Sequence, residues 1–133
     1  MDRLAQRISI AHRALETLAE LPLGSSADTV IRDAAIQRFE YTLEAVWKAA
    51  QLYFRECEGI DLASPKSPKG VVRACYEVGI LTEAEGRWGM QMVDDRNSTA
   101  HTYNEELAKA IFSRLPEHLA LMRRLLEALG RNA

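Results

Sequence analysis

A chain of 133 residues, 47% hydrophobic and 27% charged, fits one domain (1–133) around one core and is too apolar for a disordered tail. A formal charge of −2 argues against a surface coated for DNA or membrane, so any nucleic-acid contact must be local. Two cysteines (Cys57 and Cys75) make no disulfide framework, no run approaches the ~20 apolar residues that span a bilayer, and Met1-Asp2-Arg3-Leu4 lacks a signal peptide's layout, so a cytoplasmic protein is expected.

Ala and Leu supply 35 residues against 19 for Val, Ile and Thr, while Gly and Pro add only 11. Helix formers therefore dominate strand formers, breaks are few, and the expected fold is all-α. Leu4, Ile8, Ala11, Leu15 and Leu18 form one stripe on a first helix, closed by the segment Leu21 to Ser26. A long second helix runs from about Asp28 to Glu58 with Ile36, Phe39, Leu43, Val46, Ala50 and Tyr53 inward, and Gly59 closes it. Turn chemistry fills 59–67. Ser67-Pro68 then opens a short third helix, about 68–79, bearing Val71, Val72, Cys75 and Val78. Thr82 with Glu85 forms a capping box for a fourth helix, about 83–97, with Trp88 and Met92 on its buried side. Gly86 and Gly89 within it suggest packing or a bend. Thr102-Tyr103-Asn104-Glu105 is another capping-box pattern and opens a fifth helix reaching Gly130, in which Pro116 is expected to cause a kink or break. The sum is an up-and-down antiparallel bundle of four to five helices. Leu119, Leu121, Met122, Leu125, Leu126 and Leu129 exceed what one narrow face needs, which favours a dimer interface over a wide core face.

The densest polar segment, Asp94 to Asn104, joins helices four and five. Arg96 and His101 lie five apart, so a straight helix would point them ~140° away from each other. Asn97, Ser98 and Thr99 favour caps and turns, and a bend there would bring Arg96, His101 and Tyr103 to one rim. Such a trio suits phosphoester chemistry: histidine exchanges protons near neutrality, arginine braces a phosphate, and RNA carries its own 2′-OH nucleophile. The plainer alternative pairs Arg96 with Asp94 or Asp95 and leaves His101 as a loop residue. No usual metal spacing and no phosphate-cradling Gly-rich loop is present, so no metal or cofactor is expected. His12 and His118 stand alone and read as surface or packing residues. Cys75 reads as an inert core thiol, and Lys66, Lys69 and Arg73 as a small solvated basic patch.

Arg96 to Tyr103 spells Arg-x4-His-x-Tyr. With Phe39-Glu40-Tyr41-Thr42-Leu43-Glu44, Trp47-Lys48, Ser67-Pro68-Lys69, Val71-Val72-Arg73 and Gly79-Ile80-Leu81 in order, the sequence resembles the HEPN-fold proteins encoded beside a minimal nucleotidyltransferase, the nucleotidyltransferase substrate-binding proteins. The resemblance covers most of the chain from helix two onward. It implies a homodimer in which two Arg-x4-His motifs share a cleft. It further implies a metal-independent endoribonuclease, a toxin, with Arg96 and His101 catalytic and Asp95 and Asn97 supporting. Tyr103 matches the tyrosine that the cognate nucleotidyltransferase, acting as antitoxin, adenylylates. The same resemblance carries an alternative, a non-catalytic subunit that holds nucleotide or an acceptor for the transferase. A purely structural dimer without ligand is a third expectation.

Overall fold

Each helix of the computed structural model, which describes residues 2–24, 28–61 and 67–133, begins on a side chain able to cap it. α1 (Arg3–Ala19) starts on Asp2, which accepts from the Leu4 amide, and α2 (Thr29–Cys57) on Asp28, which accepts from Val30 at 2.8 Å. Ser67 accepts from the Gly70 amide to open α3 (Pro68–Glu77). At α4 (Glu83–Ser98) both halves of the capping box form: the Glu85 amide donates to Thr82 Oγ1 at 3.2 Å and the Thr82 amide to Glu85 Oε1 at 2.8 Å. Such caps satisfy amides that a helix start would otherwise leave bare, each contributing about 1 kcal/mol. A single 3-10 turn, Thr99–His101, separates α4 from α5 (Glu105–Asn132). Ser25, Ser26 and most of the 59–67 turn lie outside the described residues.

Contacts between helices give their directions. Glu85, Trp88 and Asp95 of α4 meet Arg124, His118 and Arg114 of α5, so numbers rise on one helix as they fall on the other. The Thr42 hydroxyl of α2 donates to the Ala14 carbonyl of α1, and Arg38 reaches the Thr17 carbonyl, again antiparallel. α3 runs against α4, with Lys69 paired to Asp94 at one end and Tyr76 beside Gly86 at the other. The result is an all-α up-and-down bundle, with no strand among the described residues.

Three expectations are corrected. The fifth helix is capped by Asn104, which accepts from the Leu107 amide; Thr102 instead donates its hydroxyl to the Thr99 carbonyl at 3.1 Å. Pro116 does not break α5. An interior proline costs roughly 3 kcal/mol, but Ile111, Phe112 and Leu115 before it and Leu121, Met122 and Leu125 after it are all buried, at about 1.5–3 kcal/mol each. Its ring lies against Gly24, where a Cβ would stand 2.9 Å from Pro116 Cγ. Finally, the apolar surplus of the last helix is consumed inside the protomer. Met122, Leu126 and Leu129 are fully buried, Leu121 and Leu125 nearly so, and Leu119 packs on the same core. These leucines therefore supply no free dimer face.

Candidate functional site

The segment singled out by its polarity is a sharp, stapled turn. Thr99 ends α4 by donating its hydroxyl back to the Arg96 carbonyl at 2.7 Å, Thr102 does the same to Thr99, and the Asn104 amide donates to the His101 carbonyl at 3.0 Å. Short hydroxyl side chains that compete for helix carbonyls thus turn the chain instead of extending it. Arg32 at the start of α2 fastens the turn from the side, donating to Glu105 at 2.6 Å while itself almost buried.

His101 and Tyr103 emerge on this turn. Both are exposed, Tyr103 to 86%, and their rings meet edge to face with centroids 6.1 Å apart. Arg96 lies one turn earlier and points elsewhere. Its guanidinium is part-buried against α2, with one terminal nitrogen 3.9 Å from Glu44 Oε2 and its Nε buried without a partner among the described residues. The turn gathers His101 with Tyr103, while the contact of Arg96 across the bundle is to Glu44 of α2. Arg96 pairs with neither neighbouring aspartate: Asp94 is held by Lys69 at 2.6 Å and Asp95 by Arg114. Lys69 is thereby removed from the supposed basic patch, and Lys66 lies outside the described residues. Asn97 is exposed.

Asp95 faces the interior rather than the rim. Arg114 donates to both its oxygens at 2.8 Å, Gln91 Nε2 donates at 3.0 Å, and His118 stands 2.6 Å from Oδ2. Burial alone would raise this carboxyl's pKa, but the hydrogen bonds from Arg114 and His118 outweigh it and hold the group at about 2. His118 is fully buried, stacked on Phe39 and bonded on both nitrogens. Because Trp88 Nε1 donates to His118 Nδ1 at 3.0 Å, the ring proton sits on Nε2 and is given to Asp95. The histidine expected to stand alone is thus the hub between α4 and α5. Trp88 and Asp95 seven apart, with Arg114 and His118 four apart, put two polar pairs on single helix faces, and that spacing was the available signal. Cys75 is buried, and burial pushes its thiol up to about 12, so it is inert.

Residues 6–131 match the family described as nucleotidyltransferase substrate binding protein like. The chain belongs to that family. A crystal structure of a protein from Thermus thermophilus is 55% identical, covering 90% of this chain and 98% of its own, with a TM-score of 0.83. HI0074 from Haemophilus influenzae, whose structure is described as revealing the fold of a substrate binding domain of a nucleotidyltransferase, is 22% identical over 96% of each chain with a TM-score of 0.66. The latter is a likeness of fold. No curated protein matches. The described residues hold no helix long and apolar enough to cross a membrane. The Asp95–His118 hub joins α4 to α5 on either side of the turn that carries His101 and Tyr103.

Proposed function

We propose that this protein is the substrate-binding partner of a separate nucleotidyltransferase and that it presents Tyr103 to that enzyme. The family match along residues 6–131 carries the reading. The Tyr103 phenol supports it, because a tyrosine 86% exposed on a stapled turn needs no opening of the bundle to enter another protein's active site. In the transfer the Tyr103 oxygen attacks the α-phosphate of ATP. A phosphorus–oxygen bond to tyrosine forms, the bond to the pyrophosphate leaving group breaks, and the phenolic proton passes to a base, for which His101 is the nearest imidazole in the fold. Added AMP would place charge and bulk on the His101 rim.

A second reading, the metal-independent endoribonuclease toxin, draws on Arg96 and His101. The contact to Glu44 is long and the side chain keeps 28% exposure, which leaves the terminal guanidinium nitrogens of Arg96 with hydrogen-bonding capacity for a phosphate. This reading draws on a homodimer in which the Arg96–His101 motifs of the two copies share one cleft, with Asn97 beside them and Asp95 acting through helix packing.

Co-expression with the neighbouring nucleotidyltransferase, followed by intact and peptide mass spectrometry, tests the first reading. An adduct of one AMP on Tyr103, absent in Tyr103→Phe, is expected; an unmodified chain, or an adduct elsewhere, overturns it. RNA cleavage lost in both Arg96→Ala and His101→Ala would instead establish the second.

A further inference from the structure

A second charged site lies away from the α4–α5 turn. Between the start of α1 and the last turns of α2 is a cavity of about 280 Å³ lined by Arg3, Arg7, Lys48, Gln51, Arg55 and Asp61. Arg3 and Arg7 sit one turn apart on α1, while Lys48, Gln51 and Arg55 step by three and four along α2. Because α1 and α2 are antiparallel, the two rows face the same space. Four cations thus surround one cavity with a single carboxylate in its wall, in a chain whose formal charge is −2. Among the described residues no carboxylate lies within ion-pair distance of Arg3, Arg7 or Arg55; Arg13, Arg73 and Arg131 lack one too, but only the first three share one cavity. Lys48 is paired to Glu44, but the three arginines gathered beside it repel one another, and an anion removes that repulsion.

We propose that this cavity binds linked phosphates, either the oligophosphate tail of a nucleotide or the backbone of a short RNA strand. Planar guanidinium groups suit phosphate oxygens through paired charge-assisted hydrogen bonds, and three arginines with a lysine exceed what a single small anion needs. The cavity is linked to α4 through one of its lining residues. Lys48 Nζ is 3.1 Å from Glu44 Oε1, and the other Glu44 oxygen is the one facing Arg96. A ligand that draws Lys48 inward loosens its hold on Glu44 and changes what faces Arg96. The assignment deepens the substrate-binding reading above and rests on it for its biological sense.

Titration calorimetry at low ionic strength, with sodium tripolyphosphate, ATP and a short single-stranded RNA as probes, tests the site. Tripolyphosphate is expected to bind the parent, with affinity falling as salt rises. The double variant Arg7→Gln/Arg55→Gln is expected to lose about tenfold or more for each arginine, with an unchanged or raised melting temperature. Arg87→Gln, outside the cavity and paired to Glu83, is expected to bind as the parent does. ATP binding at least as tightly as RNA identifies a nucleotide tail; RNA binding much more tightly identifies a backbone. A parent that binds none of the three probes, or a double variant as tight as the parent, overturns the proposal. Capture by the purified nucleotidyltransferase separates the two claims: a complex without phosphate binding removes the cavity's role alone, and phosphate binding without a complex removes the partner reading alone.

Discussion

At Asp95 a carboxylate only 3% exposed is held by three donors, and its acid–base behaviour follows from them. Its pKa falls from 3.8 to about 2 on folding. A depressed folded pKa contributes stability that is present above about 4 and lost as pH drops through 2, on the order of 2–3 kcal/mol. Urea melts at pH 7 and pH 3 should show roughly half of that loss, about 1 kcal/mol, in the parent. Asp95→Asn should lower stability by about 2–4 kcal/mol at pH 7, because Arg114 loses its counter-charge, and should flatten the acid limb. If the variant keeps the parent's acid limb, another carboxylate is responsible. At this scale the sequence was only half legible. Cap-forming residues marked the turn that exposes His101 and Tyr103, since a helix end is a local property. Apart from Gln91, the partners of Arg96, Asp95 and His118 lie on other helices, and nothing local ties Glu44 to Arg96 or Trp88 to His118.

Two glycines on α4 separate what a residue type does from what its place demands. A Cβ on Gly89 would stand 2.8 Å from Val72 Cγ1, a β-branched side chain with little room to yield, while one on Gly86 would meet Tyr76 at an ordinary 3.6 Å. Gly86→Ala should therefore raise stability by up to about 1 kcal/mol through helix propensity. Gly89→Ala should lower it by about 1–2 kcal/mol as overpacking outweighs the same gain, and Val72→Ala should recover much of that loss. Thermal melts of the three variants and the double variant check the signs; equal shifts at Gly86 and Gly89 would mean that α3 and α4 do not pack this closely. Helix limits were readable to within a residue or two because Ser67, Thr82 and Asp28 are strong caps. α5 continues through Pro116 because the proline's penalty is local while the burial that outweighs it comes from packing on other helices.

Across the molecule the helices share one hydrophobic core that runs from Leu4 to Leu129. One cooperative transition is expected, with the same urea midpoint by circular dichroism and by tryptophan fluorescence; separate midpoints would show that part of the bundle melts alone. The balanced total charge conceals an uneven distribution, with carboxylates beside Arg32, Arg114, Arg123 and Arg124 while three arginines without one gather at the α1–α2 cavity. Composition could place the protein among helical bundles, but only the folded chain could show that imbalance. The hydrogen bond from Trp88 to His118 has a practical consequence: it couples an indole fluorophore to the joint between α4 and α5. In a Trp47→Phe background, emission from Trp88 would be an intrinsic optical gauge of whether that joint stays closed while Tyr103 is engaged.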